Sequence, residues 1–159
     1  MVFLPYFFLL SIVAGCQTLI TPDVRNKVQH VNIDTIPEHC GEKMKHYLEN
    51  LMQTDGKNPW YSLKVSFDTW DQNRVFGEGG KSIVKAEKTI VRYTLTRIKD
   101  RKILLCSYRM IRGIRPFSMS PYAQTIAKEH QLDQSLRIIA YDIVRHVAQT
   151  LRNTQISMS

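Results

Sequence analysis

The feature that most limits how this chain can fold is a strict alternation over residues 61–68. Tyr61, Leu63, Val65 and Phe67 are apolar or aromatic, and Ser62, Lys64, Ser66 and Asp68 between them are polar. Strand side chains point to opposite faces in turn, so the pattern predicts a strand with one buried face and one wet face. Two further runs repeat it, through Val91, Tyr93 and Leu95 and through Leu104, Cys106, Tyr108 and Met110. With Lys99-Asp100 as the turn between them, Val91 opposes Tyr108, Tyr93 opposes Cys106 and Leu95 opposes Leu104, all on one face. A shorter alternation sets Val31 and Ile33 against His30, Asn32 and Asp34 and ends at Ile36-Pro37.

Helical spacing fills the gaps between these strands. Over Glu38 to Gln53, Met44, Leu48, Leu51 and Met52 form one apolar stripe, and acidic Glu42 near its start suits the positive end of a helix dipole. Gln53 to Pro59 carries a glycine and a proline and reads as a loop. Asn73 and three glycines make Trp70 to Lys81 a flexible loop, and Gly113 to Ser120 a crossing loop. Ser120-Pro121 has the form of a helix start, and Leu132, Leu136, Ile139, Ala140, Ile143, Val147 and Leu151 then keep a three-and-four spacing. Gln134, Arg137, Arg145, Gln149 and Arg152 lie on the other side of that helix. The predicted order is β-α-β-β-β-α. It makes an α+β two-layer sandwich, a four-stranded sheet with two helices on one face, over residues 28–152. Residues 153–159 read as a polar tail, and the second sheet face is left to solvent or to a partner.

The amino terminus has a different character. Phe3 to Ile12 is an apolar run of signal-peptide length, too short to span a bilayer core of roughly 30 Å as a helix. Val13-Ala14-Gly15-Cys16 follows at once and resembles the bacterial lipobox, in which the cysteine thiol is lipidated and the chain is cut before it. The resemblance implies a lipoprotein signal peptide over residues 1–15 and lipid attachment at Cys16. A mobile lipidated tether over 16–27 would follow. Gln17, a residue other than aspartate after the lipidated cysteine, fits transfer to the outer membrane in such lipoproteins.

Charge narrows the partners. The chain has 22 Lys and Arg against 14 Asp and Glu, a formal net charge of +8, and none of these residues precedes Cys16. Such a balance seeks an anionic partner. In a cytosolic protein that would be nucleic acid, whereas an exported chain meets phosphorylated lipid A and anionic lipid surfaces, and export sets nucleic acid aside. Lys81, Lys85, Lys88, Arg92, Arg97, Lys99, Arg101, Lys102, Arg109, Arg112 and Arg115 gather in the second half of the predicted sheet. They are either an ordinary solvated face or an anion-binding strip. Arg92 lies between Val91 and Tyr93 and so belongs on the outward face, with Lys88 four residues back on the same side.

Chemistry-bearing motifs fail on spacing. Gly77-Glu78-Gly79-Gly80-Lys81-Ser82 lacks the earlier glycine of a phosphate loop, since Val75 stands there, and is followed by a strand pattern. His39, Cys40 and His46 do not complete a metal-ligand set, and no nucleophile, base and acid grouping is visible. No catalysis, metal or cofactor is expected. With Cys16 lipidated, Cys40 and Cys106 are left either to pair in an oxidising compartment or to stay as buried thiols.

Several segments together resemble the LptE family of lipopolysaccharide-assembly lipoproteins, as a divergent branch. They are Cys16, the stretch Ile33 to Leu51 with Gly41, Met44 and Leu48, the run Arg92-Tyr93-Thr94-Leu95, and Ser118-Met119-Ser120-Pro121-Tyr122-Ala123 before the last helix. The resemblance implies a non-enzymatic protein on the periplasmic face of the outer membrane. It would plug the LptD export barrel, assist its assembly and bind lipopolysaccharide. The chain departs from the family at His39-Cys40-Gly41-Glu42, where an arginine often precedes Gly-Gln. By the charge argument above, Lys88 and Arg92 are the candidate lipopolysaccharide contacts. Two other readings stay open: a lipid-anchored accessory or adhesion module of another transport system, and a cytosolic nucleic-acid binder that keeps residues 1–15. Metabolic labelling with a fatty-acid analogue should mark the wild type and not Cys16→Ser, and equal labelling of both would remove the lipidation site.

Overall fold

The structure, a computed structural model, describes residues 22–37, 40–54, 56–76, 82–116 and 120–156. Its elements run α1 (Pro22–Gln29), β1 (Val31–Ile33), α2 (Gly41–Met52), β2 (Tyr61–Phe76), β3 (Ser82–Arg97), β4 (Lys102–Pro116) and α3 (Pro121–Ile156). The four strands form one sheet in the order β1-β2-β3-β4, with β1 parallel to β2 and the other pairs antiparallel. This is the expected α+β class, a mixed four-stranded sheet, with a third helix added. The signal-peptide segment and Cys16 lie outside the described residues.

That third helix corrects the expected tether over 16–27 in its described part, residues 22–27. From Pro22 the chain is helical, Val24 and Val28 are buried one turn apart, and Asp23 in the first turn pairs with Lys27 at 3.6 Å. Eight residues are too few to be stable alone, so this helix exists through its packing. Two valines among polar residues are too weak a signal to announce it. The polar tail expected from residue 153 likewise begins as helix, since α3 continues to Ile156.

One core lies between the sheet and the helices. Leu63, Val65 and Phe67 of β2 and Val91, Tyr93 and Leu95 of β3 are buried against Leu136, Ile139, Ala140, Ile143, Val147 and Leu151 of α3, as the alternation and the helical stripe required. On α2 the buried line is Gly41, Met44, Leu48 and Met52, while Leu51 is 44% exposed at its margin. The strands run further than expected. β2 continues from Trp70 to Phe76, paired with β3 with register shifts after Gln72, and β4 reaches Pro116. Polar residues there obscure the period of two, and cross-strand pairing extends the ladder without it. The glycine-rich stretch 77–81 lies outside the described residues, and Ser82 beyond it starts a strand.

The β3–β4 register differs from the expected one. Near the turn, Arg97 opposes Lys102 and Thr96 opposes Ile103, but Leu95 opposes Leu105, so Leu104 is an extra residue in β4. Beyond this bulge every pair moves by one: Tyr93 faces Ser107, Arg92 faces Tyr108 and Val91 faces Arg109. A shift of one residue exchanges the faces of a strand. Cys106, Tyr108 and Met110, expected in the core, are therefore exposed, and Tyr108 is 60% exposed. Leu104 and Leu105 both pack at the core margin.

Gly41 opens α2 under a close constraint. A Cβ there would lie 2.1 Å from the Ile36 carbonyl oxygen, a backbone atom that cannot swing aside. Alanine is ordinarily worth about 1 kcal/mol more than glycine in a helix. Here Gly41→Ala should instead destabilise, by roughly 1–3 kcal/mol as in other overpacked sites, read as a lower urea midpoint.

Candidate functional site

The sheet face turned away from the helices is the candidate site. Alternation sends Ser62, Lys64, Ser66 and Asp68 of β2 to this side, and Lys88, Ile90, Arg92, Thr94 and Thr96 of β3. The bulge adds Cys106, Tyr108, Met110 and Arg112 of β4. No described helix covers this face, and its members are exposed or half-exposed.

Lys88 and Arg92 both sit on it, four residues apart on β3. Arg92 lies in a row between Ser66 and Tyr108, and its guanidinium pairs with Asp68, two residues on from Ser66. An anion approaching Arg92 must share it with that carboxylate. Lys88 stands directly opposite Arg112, and like charges in that position repel. The basic strip is otherwise broken up. Arg97 pairs with Asp100 at 3.1 Å, and Arg109 lies on the helix side of the sheet. Side chains of Lys81, Lys85 and Arg115 lie outside the described set.

Cys106 stands on the open face, 3.8 Å from the Thr94 hydroxyl, and Cys40 lies beside the core at the head of α2. The two are not bridged. The expectation of two buried thiols fails for Cys106, because the bulge turns it outward.

Under β4 is a polar cluster that sequence reasoning missed. Arg109, sent inward by the bulge, reaches His146 of α3, with Nη2 2.7 Å from Nε2. An arginine only donates, so Nε2 is the acceptor, and Nδ1–H donates to the buried Tyr93 hydroxyl at 2.8 Å. Asp142 completes the cluster, 3.5 Å from Arg109 and 3.3 Å from Arg145. Burial, then Arg109 and Arg145, hold His146 below the usual histidine pKa, with Asp142 opposing. At the other side of α3, Tyr47 of α2 donates to Asp133 at 2.5 Å, and Arg137 pairs with Asp133 and lies over the Tyr47 ring. That hydrogen bond from Tyr47, more than the charge of Arg137, lowers the Asp133 pKa. These contacts join helices to sheet and to each other.

No family model matches the chain, and no curated protein matches it in sequence. Solved structures do. A Caulobacter crescentus CB15 protein assigned as a lipoprotein superposes with a TM-score of 0.62 at 14% identity, over 83% of this chain and 97% of that one. The fold is one that bacterial lipoproteins use. A minor lipoprotein of Acinetobacter baumannii gives 0.60 at 9% identity, over 75% of this chain and 90% of its own. Rare lipoprotein B of Shewanella oneidensis gives 0.55 at 9% identity, over 80% and 98%. At such identities the likeness lies in the backbone, and the side chains of the open face are this chain's own.

The cluster makes stability depend on pH. The unfolded chain takes up a proton near the ordinary histidine pKa of about 6.5, before the folded chain does. Stability is full above that pH, falls as pH drops toward the lower folded pKa, and then levels. His146→Gln should flatten this fall in urea titrations run from above to below the ordinary histidine pKa.

Proposed function

We propose that the chain is a non-catalytic, lipid-anchored outer-membrane protein of the LptE type. It would seat in a lipopolysaccharide-export barrel, assist its assembly and bind lipopolysaccharide through the open sheet face. The observation that carries this reading is that face: uncovered by any described helix, it combines Lys64, Lys88, Arg92 and Arg112 with exposed Tyr108 and Met110. Cations beside an aromatic and a thioether suit a phosphorylated amphiphile, which offers charge and acyl chain together. The lipobox-like Val13-Ala14-Gly15-Cys16 and the fold shared with rare lipoprotein B support the reading.

Affinity purification from detergent-solubilised outer membranes should bring down a β-barrel partner. Recovery of other transport or adhesion components without a barrel would favour the accessory-module reading. Lys88→Ala/Arg92→Ala should weaken lipopolysaccharide binding, and wild-type binding should itself weaken with salt as the screening length shortens toward about 8 Å. The exposed Asp68–Arg92 pair is worth at most about 1 kcal/mol, so the double variant should keep nearly wild-type thermal stability. Unchanged affinity at low salt would make the cations a solvated surface only.

A further inference from the structure

We propose that the end of the domain formed by the α2–β2 loop and the β3–β4 turn is a docking surface for an anionic lipid bilayer. Two segments distant in sequence meet there: the Ile98 amide donates to the Trp60 carbonyl at 2.9 Å. Trp60 is 45% exposed and Ile98 is 44% exposed, so two large apolar side chains stand in water side by side. The Trp60 ring is fixed in that position by stacking on His30, with centroids 4.1 Å apart. Around them Lys57, Lys99, Arg101 and Lys102 are exposed, while Asp100 is engaged by Arg97. Asp55 of the same loop lies outside the described residues, and counting it against these four cations still leaves the end positive. A tryptophan beside an aliphatic side chain, ringed by cations, matches the layered chemistry of an anionic interface.

The course of the chain favours a bilayer over a soluble anion. Helix α1 is tied to this same end, through Arg25 Nη2 donating to Gln53 at 2.7 Å and the His30 carbonyl accepting from the Trp60 amide at 2.9 Å. Only five residues lie between Cys16 and Pro22, so the six Cα–Cα steps, fully extended, reach about 20 Å. The docking surface therefore lies within reach of the bilayer that holds the anchor. This step rests on lipidation of Cys16 and is independent of any barrel partner.

The test uses the full lipidated protein carrying Trp70→Phe, so that Trp60 is the one fluorophore of its kind. It is reconstituted in phosphatidylcholine vesicles with or without phosphatidylglycerol, with brominated acyl chains as the quencher. Trp60 should be quenched in the anionic vesicles and not in pure phosphatidylcholine, and salt should reverse the effect. Lys99→Gln/Arg101→Gln should lower the docked-to-undocked ratio by about fivefold per cation. Lys43→Gln/Lys45→Gln, the same charge loss on α2, should leave it unchanged. If the protein floats with anionic vesicles while Trp60 stays unquenched, the docking surface is refuted and the anchor stands. Equal quenching in both vesicle types would also refute it, as would a Trp60 response to outer-membrane protein alone, which would assign this end to a protein partner. Loss of the Cys16 fatty-acid label is read separately and would remove the anchor instead.

Discussion

The structure depends on burying one side of β3. Val91, Tyr93 and Leu95 lie between strands on both flanks and under α3, and all three are nearly inaccessible to water. Each such side chain contributes roughly 1.5–3 kcal/mol on burial. Because the burial is one-sided, β3 must present Lys88, Arg92, Thr94 and Thr96 on the opposite face. Core and candidate site are thus two sides of the same residues, and neither can be moved without the other.

Tyr93 links this apolar layer to the polar cluster. Its ring fills the core while its hydroxyl needs a partner, and His146 supplies one. His146 in turn accepts from Arg109, whose charge is balanced by Asp142. The chain of contacts fastens edge strand β4 to α3. It also explains why a basic residue placed under a sheet is tolerated: the Arg109 guanidinium meets His146, Asp142 and the Tyr108 carbonyl. A bulge that looks like a local irregularity at Leu104 is what delivers Arg109 there.

The same bulge shapes the open face. Without it, Tyr108 and Met110 would turn toward the core, and Leu105, Arg109 and Ile111 would take their places outside. With it, the face mixes cations and apolar groups, which suits an amphiphile better than a simple anion. Among the described residues, the sheet face and the Trp60 end are both surfaces of this mixed kind. The second is the one to which helix α1 is tied.

Alternation at Tyr61 to Phe67 and at Val91 to Leu95, and the three-and-four spacing from Leu132 to Leu151, determined the sheet, the long helix, the one-sided core and the outward placement of Lys88 and Arg92. These are local periodicities, and burial of a continuous apolar row enforces them. The tertiary structure alone decided α1, whose two valines are too few to mark a helix until a core receives them. It decided the length of β2 beyond Trp70, where ladder pairing replaces an apolar pattern. It decided the face of Cys106, Tyr108, Arg109 and Met110, because alternation gives the spacing of a strand's two faces but not which one is turned inward. That choice passes through the register, and the register was set by one extra residue, Leu104, that no periodicity reveals.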